Sequence, residues 1–274
     1  MSNLLAVRTH TQPVDEIICE AGCHIYNYEQ GGFAQICGAS IRPVEGEQGV
    51  LSVEQLHGLI RSDNEHLVRS RLVCLENTHN RGSGRVLPQD GVVAICDWAR
   101  ENDLASHLDG ARLFNAAVAS NTPASELAAP FDTVSVCFSK GLGAPVGSAL
   151  AGSEEFIRRA HRIRKMLGGG MRQAGVIAAA AIYALEHHVE RMAEDHAHAQ
   201  QLAKAVEEIE GLSLPGKIDT NIVYVRVDPK LCTAATLVAQ LAERGVLTID
   251  LGPQDLRMVT HLDVTSEDIQ DAIY

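Results

Sequence analysis

Two residues of this chain are placed for chemistry that ordinary side chains do not perform alone. Asp109 follows the largely apolar run Leu104-Ala105-Ser106-His107-Leu108 and precedes Gly110-Ala111-Arg112. Lys140 follows Thr133-Val134-Ser135-Val136-Cys137-Phe138-Ser139 and precedes Gly141-Leu142-Gly143. Each run reads as a short buried strand, and in an open α/β sheet ligands bind outside the carboxyl ends of the strands. An amine and a carboxylate at that edge suit pyridoxal phosphate (PLP). The lysine bonds to the cofactor aldehyde, and the aspartate pairs with the ring nitrogen so that the ring can withdraw electrons. Taken singly, the lysine reads as a solvated strand end and the aspartate as a turn or cap residue. Together, with small residues around both, they favour the cofactor reading.

Further segments supply the frame. Glu16 to Cys19, Ile41 to Val44 and Leu72 to Leu75 read as strands, and Pro88 to Asn102 reads as a helix. Helical periodicity runs from about Tyr26 to Ile36, and Ser52 with Gln55 has the spacing of a capping box. Alternation of strands and helices predicts an α/β fold with a mostly parallel sheet flanked by helices. From Ser153 to about Glu210 the pattern is helical, broken by Gly168-Gly169-Gly170. Past Gly211 the texture changes. Strands are expected at Ile222 to Val227, Val246 to Ile249 and Leu256 to Thr260, with helices at Thr233 to Arg244 and from Ser266 onward. The expected division is a large domain over residues 1–187 and a small α+β domain over 188–274. Met1 to Thr9 reads as a helix already in progress, with nothing before it to cap it.

Composition removes several classes of function. The net charge of −12 argues against a nucleic-acid partner and against an anionic membrane surface. The longest apolar stretch, Ala174 to Leu185, is Ala-rich and reads as a buried helix rather than a membrane span. No cleavable signal peptide is visible. Seven cysteines without a CxxC pair read as reduced thiols of a cytoplasmic protein. His187, His188, His196 and His198 cluster on an expected helix and read as a solvated polar face in preference to a metal site.

Six ordered segments carry a resemblance. They are Ala21-Gly22-Cys23-His24-Ile25-Tyr26 through Gly32, Leu75-Glu76-Asn77-Thr78-His79-Asn80, His107 to Ala116, Phe138 to Ser148, Gly168 to Gln173, and Arg257-Met258-Val259-Thr260-His261-Leu262-Asp263. In this order they resemble the low-specificity L-threonine aldolases, PLP enzymes of the aspartate aminotransferase fold (fold type I). The resemblance covers nearly the whole chain and departs at the front. Family members carry several dozen residues before the point matching Met1, including a Ser-Gly-Thr-type turn that binds the cofactor phosphate at a helix N-terminus.

The resemblance implies roles for named residues. Lys140 would hold PLP and exchange it for the substrate amine, with Asp109 beside the ring nitrogen. His24 would stack on the ring, and His79 would lie near the substrate side chain, where a histidine suits removal of a β-hydroxyl proton. Which of the two is the base stays open. Arg112 would sit by the cofactor phenolic oxygen or the substrate carboxylate. Arg257 would clamp the α-carboxylate, and Arg172, beside the triple glycine, would approach the phosphate from its own chain or across a subunit interface. Without the family, His24 reads as a loop or core histidine, His79 as part of an Asx-type turn, and Arg257 as a surface arginine. The implied reaction cleaves L-threonine, L-allo-threonine and related β-hydroxy-α-amino acids to glycine and an aldehyde. The alternatives are another PLP reaction on the same fold, such as β-elimination or transamination, and a truncated, weakly active or non-catalytic subunit. The fold also implies a homodimer or homotetramer, with a small amino acid as partner.

Overall fold

The computed structural model describes residues Met1–Tyr274, with ten strands in two sheets. The strands are β1 (Asp15–Glu20), β2 (Ser40–Val44), β3 (Arg69–Glu76), β4 (Ala105–Gly110), β5 (Thr133–Cys137), β6 (Ser148–Gly152), β7 (Leu212–Ser213), β8 (Ile222–Val227), β9 (Ile249–Asp250) and β10 (Asp255–Val259). The first sheet has the order β2-β1-β3-β4-β5-β6. It is parallel throughout except for β6, which runs antiparallel to β5. The second sheet, β7-β8-β10-β9, is antiparallel.

Side chains alternate across the first sheet, so its central strands bury both faces. On one face Ile18, Val73, Leu75, Leu108 and Val134 pack under helix Gln89–Glu101, which turns Val92, Ile95, Cys96, Trp98 and Ala99 inward. On the other, Ile17, Cys19, Leu72 and Cys74 meet Val7 of helix Ser2–His10. Each fully buried Ile or Leu contributes on the order of 1.5–3 kcal/mol. The second sheet packs Val223, Val225, Val227 and Leu256 against Ala199, Leu202, Ala203 and Val206 of helix Met192–Glu207 and Ile269 of helix Ser266–Ile273. No helix is long and apolar enough to cross a membrane.

Several expectations are corrected. The helix expected from Tyr26 to Ile36 is two single turns, His24–Asn27 and Gly32–Gln35. Gln30 and Gly31 lie between them with φ of 54° and 65°, a left-handed bend no α-helix carries. β6 escaped notice because Ser-Ala-Leu-Ala-Gly has neither β-branched nor aromatic residues. The strand expected at Val246 to Ile249 is reduced to Ile249–Asp250. The four histidines expected on one solvated face divide between two helices, and only His187 is exposed. His196 and His198 are buried, with His196 Nε2 accepting from Asn115 Nδ2 at 3.1 Å and His198 Nε2 2.9 Å from Ser266 Oγ. His188 Nδ1 donates to the Leu142 carbonyl at 2.6 Å, tying the helices to the loop that carries Lys140.

Candidate active site

Parallel strands end at one edge of the sheet, and register brings particular residues abreast there. Glu76 of β3 faces Asp109 of β4, and Asp109 faces Ser135 of β5. Lys140 lies three residues beyond β5 in a tight turn, its carbonyl accepting from Gly143 N at 2.8 Å. The turn presses on helix Leu113–Ser120. A Cβ at Gly141 would stand 2.6 Å from Asn115 Oδ1, so only glycine fits there.

Asp109 is buried, and burial pushes its carboxyl up to about 6. The neighbouring Glu76 charge pushes in the same direction, while Lys140 and His24 pull it down. Its Oδ1 accepts from Ala111 N at 3.1 Å and its Oδ2 from Asn3 Nδ2 at 2.7 Å. The same Asn3 amide donates to Glu29 Oε1 at 2.8 Å, and Glu29 Oε1 is 3.0 Å from His24 Nδ1. The Glu29 partnership raises the pKa of His24 against the opposing effect of burial. His24 thus stands beside Asp109 with 37% of its side chain exposed.

Glu76 is a buried hub. Oε2 accepts from the His24 backbone N–H at 2.6 Å and Oε1 from the Asn80 backbone N–H at 2.8 Å. One carboxylate therefore fixes both the histidine turn after β1 and the turn after β3. His79 is enclosed, its side chain 1% exposed. Nδ1 accepts from Gly82 N at 3.1 Å, and Nε2 is 2.9 Å from Glu20 Oε2, an ion-pair contact off the hydrogen-bond line. Burial lowers the His79 pKa, but Glu20, Glu76 and Asp109 outweigh it and the net direction is upward. Gly49 lies flat on the imidazole, with φ of 82° and an added Cβ only 2.1 Å from His79 Cγ.

Arg257 arrives from β10 of the second sheet. Its Nη1 donates to Asn80 Oδ1 at 2.9 Å, and its buried Nε has no partner. Arg112 lies close enough for the Arg257 charge to depress it, after the larger effect of burial and against the pull of Glu76. Two guanidinium groups converge here without a carboxylate bridging them. The turn after β3 is also joined to the approach to the second sheet. Arg85 Nη1 pairs with Asp219 Oδ2 at 2.7 Å, and Thr220 Oγ1 donates to the Gly84 carbonyl at 2.8 Å.

The structure therefore gathers Lys140, Asp109, His24, His79, Arg112 and Arg257 at one edge. No hydrogen bond or ion pair ties Arg172 to them within one copy of the chain. That residue is exposed in the loop after helix Glu154–Met166. Sequence reading missed Asn3, Glu20, Glu29 and the hub role of Glu76. The visible signal was an acidic residue closing each of β1 and β3, Glu20 and Glu76.

Residues 1–229 match the model of the beta-eliminating lyase family. The low specificity L-threonine aldolase of Escherichia coli K12 is 41% identical over 271 residues, covering 98% of this chain and 79% of the relative. Low-specificity L-threonine aldolase 1 of Arabidopsis thaliana is 38% identical, covering 98% and 77%. The chain belongs to the low-specificity L-threonine aldolase family. Solved structures carry the same fold. Leishmania major threonine aldolase superposes with a TM-score of 0.85 at 20% identity, covering 99% of this chain and 79% of that one. An aspartate aminotransferase variant from Thermus thermophilus superposes with a TM-score of 0.69 at 15% identity, covering 99% and 76%. The aspartate aminotransferase-type fold expected from the sequence is thus present, with a mostly parallel sheet flanked by helices and a separate antiparallel sheet.

Proposed function

We propose that this chain is a PLP-dependent aldehyde-lyase. It cleaves L-threonine, L-allo-threonine and related β-hydroxy-α-amino acids to glycine and an aldehyde. The observation that carries the reading is the approach of Lys140, from the turn after β5, to the buried Asp109 near the end of the neighbouring β4 in a family member. The residues fit the cofactor. A carboxylate raised to about 6 by burial has room for a ring-nitrogen cation, and the half-exposed His24 offers a flat face beside it. They fit the substrate as well. The unpartnered Arg257 Nε and the nearby Arg112 call for a carboxylate, which a guanidinium fork binds in bidentate fashion.

When bound, PLP supplies the electron sink for the pair released as the Cα–Cβ bond breaks. The chain supplies the rest. Lys140 Nζ would be the amine that holds the cofactor aldehyde. Asp109 would be the partner of the ring nitrogen, and His24 would cover one side of the ring. Arg257 and Arg112 would hold the substrate α-carboxylate and so fix the orientation in which the amino acid binds. Of the two histidines, His24 is the one open to a β-hydroxyl. His79, wedged between Glu20, Gly82 and Gly49, supports the turn carrying Asn80.

The reading includes a cytoplasmic location and a division of the chain near residue 187. It also includes a homodimer or homotetramer. Val176, Ile182 and Tyr183 of helix Gly175–His187 are 83%, 55% and 57% exposed, an apolar surface suited to a second copy. Sedimentation as an active monomer would refute the assembly.

The test is a visible spectrum of the purified chain with PLP, with Lys140→Ala as control, followed by product analysis on threonine. A cofactor band lost in the variant, with glycine and acetaldehyde formed, supports the reading. Ammonia and an oxo acid as products would replace it with elimination.

A further inference from the structure

A chain of hydrogen bonds runs behind Asp109 through residues that the reaction does not use. Asn3 Nδ2 faces two carboxylates, Asp109 Oδ2 at 2.7 Å and Glu29 Oε1 at 2.8 Å. Only the NH₂ side of the amide can face two acceptors, so its orientation is fixed. Oδ1 then points at His107 Nε2, 3.2 Å away, and accepts from Ser135 Oγ. An amide oxygen only accepts, so His107 Nε2 carries the hydrogen. His107 is fully buried, and burial pulls it down to about 3, so it is a neutral ring with Nδ1 bare. Thr133 Oγ1, 2.9 Å from that Nδ1, is therefore the donor to it. Thr133 has spent its hydrogen and accepts from His10 Nε2 at 2.9 Å. Every bond from His10 through Thr133, His107 and Asn3 points its hydrogen toward Asp109.

We propose that His107 and Asn3 are positioning residues for Asp109, and that Thr133 and His10 fix the His107 tautomer this requires. The aligned dipoles present positive ends to the Asp109 carboxylate and favour its charged form. They also hold Oδ2 in one place, so that the opposite face of the carboxyl is left for the ring nitrogen. Four uncharged groups do this without placing a competing cation against Asp109. The inference rests on the reading of Asp109 as the partner of a PLP ring.

Nitrogen NMR of the cofactor-free chain labelled at histidine tests the geometry by itself. His107 is expected as the neutral Nε2–H tautomer from about pH 6 to 8. A cationic ring or the Nδ1–H tautomer overturns the proposal. Equilibrium PLP binding and the pH titration of the bound cofactor band then test the consequence. Asn3→Ala should weaken PLP binding by about tenfold or more, as expected for a lost hydrogen bond to a charged group. It should also move the band titration. Thr133→Val, which keeps the side-chain shape, should release the tautomer and shift both readouts in the same direction by less. Wild-type affinity and titration in Asn3→Ala overturn the proposal. A wild-type chain that binds no PLP would instead sink the cofactor reading, leaving the NMR result to decide the hydrogen-bond chain.

Discussion

Replacing Glu76 by glutamine asks whether one buried charge sets the titration of its neighbour. Glu76 and Asp109 are register partners on adjacent parallel strands, so their side chains leave the same face of the sheet. Neighbouring strands are about 5 Å apart. Two like charges at that spacing repel by about 3 kcal/mol at an effective dielectric of about 20. Burial and then Glu76 raise Asp109 to about 6 from an ordinary 3.8. Between those two values the folded cofactor-free chain keeps a proton that the unfolded chain has released. The resulting stabilisation is greatest below the lower value and is lost as pH rises through the window. The loss is about 1.4 kcal/mol for each pH unit, about 3 kcal/mol in all. Glu76→Gln removes the charge and keeps the shape. Asp109 should then titrate nearer the ordinary carboxylate range in carbon NMR, and the fall in stability between pH about 4 and 6 should shrink. A separate loss of roughly 1–3 kcal/mol should appear at every pH, because the amide can no longer accept from both the His24 and Asn80 N–H groups. Denaturant unfolding across pH separates the two effects. An Asp109 that titrates in the variant as it does in the wild type would refute the reasoning.

Other expectations concern single contacts. Arg257→Lys keeps the charge but loses the fork, so KM for threonine should rise by about tenfold or more with a smaller change in kcat. An unchanged KM would remove Arg257 from the clamp. Gly49→Ala forces a left-handed alanine against the His79 ring and should cost about 2–4 kcal/mol, read as a lower melting temperature. A variant that melts with the wild type would mean that the ring is not pinned there. His24→Phe preserves a flat ring, so cofactor affinity should stay within a few fold while kcat falls by about 10²-fold. A kcat at the wild-type level would move the base to His79.

The strands that matter most were legible because they are short, apolar and closed by polar residues. The runs ending at Glu20, Glu76, Asp109 and Lys140 each set a buried segment before an abrupt change of character. Local pattern reports burial and breaks well, and those define the sheet edge where the site lies. It does not report partners across the sheet. Asn3 is an ordinary residue at the start of a helix until folding sets it against Asp109, 106 positions later in the chain. His196 and His198 failed for the same reason. Their polarity suggested water, but Asn115 and Ser266, on other helices, satisfy them inside the protein. β6 was missed on propensity, since its strand conformation comes from pairing with β5. Arg172 rests on its motif alone, since its side chain is exposed and has no hydrogen-bond partner within one copy of the chain.

The join between the turn after β3 and the approach to the second sheet has a mechanical consequence. Arg85 to Asp219 and Gly84 to Thr220 fasten the two pieces beside the point where Asn80 meets Arg257. Arg257 thus has a neighbour from each sheet's side of the seam, and a change in the turn after β3 is expected to reach the guanidinium through Asn80 as well as through its own strand.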